Sequence, residues 1–403
     1  MKKILFITAT NVFGGYENES ISIENLLNEI GFKVDVLLLN NFEDNTKLKH
    51  FNSTNIFSVF NVISLPFKYF IIKIILYFKY VFFNKNIDSI NLYRSNVYLR
   101  PYFTFQKYSV KTLNFINKFD YVYIHGQPKE IMINIAFISR KLNKKIFYHE
   151  ITSFSHDYVN RRDNIEFVKK SKLINYFIGC SMEKINRAKN TLNKNITYFH
   201  IEQWAYIYES KLIKLPIKVK KKKIQIGIIS RFDNGKGILE AVKVIIKLIN
   251  EKYINNLEFV IVGDGALKNE LNLLVDSNKC EEYIKLCGMK TGDDIVEMYN
   301  MIDVVIIPSL EEGGPIVGLE AMASGCVILS ADVGAMPERI INGKNGFIFE
   351  RNNWNDFKCK LIGIYNLSEL EFTSISNNAK KKYISNYSKN NIVNNYINMF
   401  NLI

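Results

Sequence analysis

Two glycine-bearing stretches carry most of the residues whose types and spacing could do chemistry. The longer runs Pro308-Ser309-Leu310-Glu311-Glu312-Gly313-Gly314-Pro315-Ile316-Val317-Gly318-Leu319-Glu320-Ala321-Met322-Ala323-Ser324-Gly325. Glycines let backbone N–H groups approach a ligand closely, and a helix starting at Ile316 or Val317 offers a partially positive end. Together these suit an anion such as a diphosphate. Glu312 and Glu320, with seven residues between them, bracket the turn. A carboxylate repels phosphate but accepts two hydrogen bonds from a vicinal diol. One acid for a ribose and one for a second sugar is therefore a coherent division. The plainer alternative makes Glu312 a solvated loop acid and Glu320 a helix-surface acid; it explains either residue alone better than it explains the whole string.

The second stretch is Ser230-Arg231-Phe232-Asp233-Asn234-Gly235-Lys236-Gly237. Two cations flank a glycine turn, where they could neutralise a departing diphosphate, each charge-assisted contact contributing about 1.5–3 kcal/mol. The spacing is not that of a Walker loop, because Gly237 follows the lysine. The alternative is a pair of solvent-exposed loop charges.

These stretches need strands and helices to hold them. Apolar runs at Ile4–Ile7, Val34–Leu39, Tyr121–Ile124, Ile146–Tyr148 and Phe177–Cys180 read as parallel strands separated by helical patterns. Strand Ile4–Ile7, a loop to Tyr16 and a helix over residues 19–30, closed by Gly31, open the chain as a βαβ unit. A lysine run, Lys218 and Lys220–Lys223, follows Pro216 and marks a domain boundary. Beyond it, strands at Ile224–Ile229, Glu258–Val262, Tyr283–Cys287, Val304–Ile307, Cys326–Leu329 and Gly346–Phe349 alternate with helices. Such alternation predicts an α/β protein of two doubly wound, Rossmann-like domains, with ligand at the C-terminal ends of the strands. The expected division is 1–217, 218–384, and a final helix over 385–403 that returns to the first domain.

Composition narrows the classes. At 403 residues and 48% hydrophobic, the chain can bury two cores. Its five cysteines are odd in number and contain no C-x-x-C, which excludes a disulfide framework and a thiolate metal site and fits a reducing compartment. The N-terminal apolar run is too short for a signal peptide, so a cytoplasmic protein is expected. The net charge of +14 fits either an anionic surface or a plain Lys- and Asn-rich composition. No nucleic-acid module is present, so nucleic acid is not an expected partner. In Pro66–Phe83, Lys68, Lys73 and Lys79 interrupt an apolar run; a central lysine costs about 2.5–3.5 kcal/mol in a membrane span. A spanning helix is rejected. A helix lying in the membrane interface and a buried helix with snorkelling lysines both remain open.

With these motifs in order, the C-terminal half resembles the glycosyl transferases group 1, the retaining class of nucleotide-sugar glycosyltransferases with the GT-B fold. The marks are Arg231 with Lys236-Gly237, the Gly263-Asp264-Gly265 turn, the Glu312-to-Glu320 string, Val333-Gly334 with Glu338, and Asn345-Gly346-Phe347. They span roughly residues 224–350. The resemblance implies that Arg231 and Lys236 meet the donor diphosphate, Glu320 the ribose and Glu312, as a catalytic residue, the donor sugar. Gly314, Pro315, Ile316, Val317 and Leu319 would surround sugar and phosphate. Gly14-Gly15 is similar to the family's N-terminal glycine loop, with Gly15 on the diphosphate. His149 stands where the family places an active-site histidine, and His125 is a second candidate. Two departures stand out: Phe199–Trp204 replaces a Pro-Asn-Gly-like turn, and Ala335 a frequent glycine.

The resemblance implies transfer of a hexose-type sugar, with retention, from a nucleotide diphosphate sugar to a glycan or lipid-linked acceptor. Envelope, capsular or lipopolysaccharide synthesis at the inner face of the membrane would be its setting. No D-x-D sequence occurs, so no metal and no other cofactor is expected; Arg231, Lys236 and helix dipoles would replace a bridging ion. Two alternatives share the fold: a non-transferase such as a nucleotide-sugar epimerase, and an inactive membrane-bound scaffold.

Overall fold

The computed structural model describes residues 1–8, 15–39, 51–53, 55–58, 110–126, 130–150 and 167–403. Gly14 and the run Pro66–Phe83 lie outside them. Among the described residues no helix is long and apolar enough to cross a membrane. The chain forms two compact units. The first takes the described residues to 150 together with 167–178 and 187–199; the second takes 179–186 and 200–403, the C-terminal helices included.

In the first unit, seven strands lie in the order β3-β2-β1-β4-β5-β6-β7. They are β1 (Lys3–Thr8), β2 (Lys33–Leu38), β3 (Ile56–Ser58), β4 (Tyr121–His125), β5 (Lys145–Glu150), β6 (Tyr176–Gly179) and β7 (Thr197–His200). The pairs β1–β2, β1–β4, β2–β3 and β4–β5 are parallel. Helices α1 (Gly15–Glu29), α2 (Val110–Asn117) and α3 (Glu130–Lys141) supply crossovers. β4 and β5 are almost wholly buried, as expected of parallel strands covered on both faces.

The second unit holds six parallel strands in the order β10-β9-β8-β11-β12-β13. They are β8 (Ile224–Ile229), β9 (Leu257–Val262), β10 (Ile284–Gly288), β11 (Val304–Ile307), β12 (Val327–Ala331) and β13 (Phe347–Phe349). Its main helices are α4 (Ile238–Asn250), α5 (Lys268–Ser277), α6 (Asp293–Met301), α7 (Ile316–Ser324), α8 (Trp354–Asn366), α9 (Glu369–Lys382) and α10 (Lys389–Asn401). Side chains alternate across the sheet. Val304 and Ile306 join the core under α4 and α8, while Val305 and Ile307 join the core under α6 and α7. In α4 the buried residues Ile238, Val242, Ile245 and Ile249 recur at helical spacing and form one apolar stripe. α7 is different. Every residue from Gly318 to Ser324 is buried, so this helix runs through the unit's interior rather than along its surface.

Candidate active site

Strand order reverses between β8 and β11, the point at which a doubly wound sheet opens a crevice beyond its strand ends. The two chemistry-bearing stretches leave these two adjacent strands. Arg231–Gly237 follows β8, and Pro308–Pro315 follows β11. Backbone ties them together: Leu310 N donates to the Gly235 carbonyl at 2.9 Å. Gly237 has φ +61°, and a Cβ there would stand 2.2 Å from the Pro308 oxygen, so only glycine lets the loops approach this closely. The Gly263-Asp264-Gly265 turn braces the first loop, with Phe232 N donating to the Asp264 carbonyl at 2.9 Å.

Lys236 Nζ donates to Glu312 Oε1 at 2.5 Å, and Ser309 Oγ donates to the same oxygen at 3.0 Å. Both side chains of the ion pair are about four-fifths buried (19% and 18% exposed). Glu312 is thus no solvated loop acid. The sequence divides the two residues between phosphate and sugar; the structure joins them, so a ligand must share Lys236 with the carboxylate. Arg231 differs, with its side chain 72% exposed and Asp233 3.3 Å away. Beside these groups α7 begins at Ile316, after Pro315, with no side-chain cap and no acid in its first turn. The amides of Ile316 and Val317 therefore keep the anion-seeking character of an open helix start.

Glu320 lies one turn into α7. It is 8% exposed, not a surface acid, and its Oε2 accepts from Tyr299 Oη at 2.6 Å. Burial pushes its carboxyl up to about 7, and the Tyr299 hydrogen bond offsets part of that rise.

The underside of the glycine turn centres on Arg339, a residue that the sequence did not point to. Arg339 is fully buried, and its guanidinium donates to the Pro315 carbonyl (3.1 Å), Glu202 Oε2 (2.8 Å) and Gln203 Oε1 (3.1 Å). A Cβ on Gly314 would meet that Gln203 oxygen at 2.4 Å and Cys180 Sγ at 2.8 Å. Gly334, with φ +53°, lies against the Gly313 carbonyl in the same way, at 2.5 Å from its would-be Cβ. Glu202 and Gln203 fall within Phe199–Trp204, where the chain departs from the family's usual turn. The departure thus supplies the partners that hold Arg339 under the helix start. Glu338, the neighbour of Arg339, accepts from the Met182 and Glu183 amides at 2.9 and 3.0 Å.

Residues 211–382 match the model of glycosyl transferases group 1. The second unit carries a group 1 glycosyltransferase domain. An uncharacterized glycosyltransferase of Methanocaldococcus jannaschii is 24% identical over 345 residues, 79% of this chain and 86% of that protein. A UDP-Gal:alpha-D-GlcNAc-diphosphoundecaprenol alpha-1,3-galactosyltransferase of Escherichia coli is 30% identical over 143 residues, 35% of this chain and 36% of that protein. Among solved structures, Anabaena HepE in complex with UDP-glucose aligns with a TM-score of 0.73 and 16% identity, over all of both chains. The shared fold is the GT-B type of two Rossmann-like units.

The first unit holds the remaining site candidates. Gly15 is the first residue of α1. His149, 2% exposed near the end of β5, has Nδ1 2.9 Å from Tyr123 Oη. His125, fully buried at the end of β4, has Nδ1 2.9 Å from Ser20 Oγ and its ring 5.0 Å from that of His149. Thr8 and Tyr16 join this network: their hydroxyls are 2.7 Å apart, Thr8 Oγ1 is 3.0 Å from Ser20 Oγ, and Tyr16 Oη donates to the His125 carbonyl at 3.0 Å.

Among the described residues, one trio has metal-ligand chemistry: His200, Glu202 and Glu338 bring ligand atoms within 4.8 Å of one another. Glu202 is already paired with Arg339, and Glu338 already holds two backbone amides. Their lone pairs are engaged in structure, which disfavours an ion.

Proposed function

We propose that this glycosyltransferase moves a hexose-type sugar from a nucleotide diphosphate sugar to a glycan or lipid-linked acceptor, with retention, in the synthesis of an envelope polysaccharide. One observation carries the reading: at the strand-order reversal of the second unit, adjacent loops hold the Lys236–Glu312 pair beside an open helix start, and that helix carries the half-satisfied Glu320. The UDP-glucose of the HepE complex and the lipid-linked acceptor in the galactosyltransferase's name support the donor and acceptor classes.

In this reading the amides of Ile316 and Val317 receive the diphosphate, the turn Gly314-Pro315 and Leu319 shape its surroundings, and Lys236 and Arg231 neutralise the charge that grows as the glycosidic C–O bond breaks. Gly15 would add a backbone contact to the diphosphate. Glu320 takes ribose hydroxyls and Glu312 takes hydroxyls of the transferred sugar, turning away from Lys236 as the phosphate claims that cation. Retention follows if the acceptor oxygen attacks from the face that the diphosphate leaves. A phosphate oxygen then accepts the acceptor's proton. His149 would serve the transferred sugar. Lys236, Arg231 and the helix start supply the positive charge without a metal ion.

The test is a panel of nucleotide sugars incubated with and without glycan and lipid-linked acceptors, with products resolved by chromatography and anomeric configuration by NMR. Transfer with the donor's configuration kept is the expected result. An epimerised nucleotide sugar formed without acceptor would overturn the transferase reading in favour of an epimerase. Membrane contact through Pro66–Phe83 is part of the proposal; liposome flotation with anionic lipid at low salt tests it, and absence of flotation contradicts it.

A further inference from the structure

Tyr299 lies in neither glycine loop, and donor binding as described gives it no task. It sits in the last turn of α6, fully buried, with its hydroxyl on Glu320 Oε2 at 2.6 Å. Glu320 Oε1 has no hydrogen-bond partner among the described residues, and the side chain keeps its 8% exposure. The backbone end of Tyr299 is fixed too. Lys218 Nζ donates to the carbonyls of Tyr299 and Asn300 at 2.9 and 2.7 Å, a cation at a helix C-terminus. The Cys326 thiol donates to the same Tyr299 carbonyl at 3.6 Å. The ring is thus anchored at one end and committed to one carboxylate oxygen at the other.

We propose that Tyr299 is a positioning residue for the donor: by holding one oxygen of Glu320, it presents the other to a vicinal diol of the nucleotide ribose. This rests on the reading of Glu320 as the ribose acceptor. A glutamate has several rotatable bonds, and fixing one oxygen in advance removes part of the ordering cost of binding. The hydrogen bond also favours the ionised carboxylate, the form that accepts from both hydroxyls.

The titratable groups around Glu320 are few. Glu320 faces the hydroxyls of Tyr299 from α6 and of Tyr383 just beyond α9, and Tyr299 in turn faces the Tyr208 hydroxyl and the Cys326 thiol, two residues beyond α7. Burial raises the Tyr299, Tyr383 and Cys326 groups, which stay neutral at neutral pH. Lys218 addresses the backbone end of Tyr299, and Glu312 in the loop before α7 is paired with Lys236 from the loop after β8. Glu320, whose carboxyl titrates at about 7, is thus the group whose ionisation donor binding would draw on.

Donor KM and kcat measured from pH 5.5 to 8.5 on the full chain, for wild type, Tyr299→Phe and Glu320→Gln, test the proposal. Wild-type KM should fall as pH rises through about 7. Tyr299→Phe should raise KM about five- to tenfold at pH 7, keep kcat within about threefold, and move the KM transition about one unit to higher pH. Glu320→Gln should raise KM and flatten the profile. If Glu320→Gln does so while Tyr299→Phe overlays wild type, the positioning role is refuted and the Glu320 reading survives. If Glu320→Gln leaves KM and profile unchanged, the Glu320 reading itself fails. Calorimetry of wild type with uridine, guanosine and adenosine diphosphates, in two buffers of different ionisation enthalpy, is independent of any variant's folding. Net proton release near pH 7 on binding is expected. Binding without release, or no binding by any of the three, overturns the proposal.

Discussion

Two glutamates, one in each unit, have carboxyls that burial pushes up to about 7, yet their surroundings differ. Glu24 on α1 is fully buried and accepts from Asn28 Nδ2 at 2.5 Å and from the Asn52 amide at 3.1 Å, so both its oxygens are engaged. Among the described residues, Glu320 on α7 accepts from Tyr299 alone and leaves one oxygen open. Similar desolvation therefore produces a tie between α1 and the segment around Asn52 in one unit, and an unfilled acceptor in the other. Perturbed ionisation by itself does not mark a binding group; unsatisfied geometry beside it does. A third acid sharpens the contrast. Burial alone would raise Glu202, but the Arg339 guanidinium and His200 hold it below the ordinary glutamate value.

The largest effect should follow from removing the partner of that third acid. Arg339→Met leaves the Glu202 carboxylate buried without its cation and should cost about 3–5 kcal/mol of stability, read as a depressed Tm. An unchanged Tm would show that Arg339 does not hold the helix start.

Next comes the pH dependence of stability itself. For Glu24 and Glu320 the folded pKa lies above the unfolded value, so their contribution is full below about 4.5 and is lost as pH rises through about 7. Each should remove on the order of 3 kcal/mol across that window. Thermal melts of wild type, Glu24→Gln and Glu320→Gln from pH 4 to 8 should show a shallower decline in each variant. Parallel curves would contradict the burial argument.

The comparison breaks differently in donor affinity. Glu320→Ala and Lys236→Ala should each lower donor affinity or turnover at least tenfold, about 1.4 kcal/mol, whereas Glu24→Gln should leave donor KM unchanged. Near-wild-type transfer by both alanine variants would refute the site. The smallest effect belongs to Arg231→Ala. An exposed cation contributes within about 0.5 kcal/mol to stability, so its loss should appear chiefly as weaker, less salt-sensitive donor binding.

Much of this was legible from the chain alone. β11 falls at Val304–Ile307 and α7 starts at Ile316, as the apolar run and the glycine turn predict. Parallel strands buried on both faces read as short continuous apolar runs, and the loops between them carry their chemistry in contiguous residues. What escaped was set by distance along the chain. Tyr299 meets Glu320 across 21 positions, and Arg339 meets Glu202 across 137. An interior arginine looks like any surface arginine until its partners are folded against it. Lys218 was read as part of a run of lysines at the domain boundary, yet it is buried, its Nζ donating to two carbonyls at the end of α6, those of Tyr299 and Asn300. The first unit's network, centred on His125 and His149, gave only two histidines at strand ends; their mutual packing was not visible.

The most direct test of the central claim is calorimetric titration of a nucleoside diphosphate panel into wild type and Lys236→Ala. Saturable 1:1 binding of at least one diphosphate to wild type is expected, weakened at least tenfold in the variant. Equal affinity in the two proteins, or no binding by any member of the panel, would contradict it.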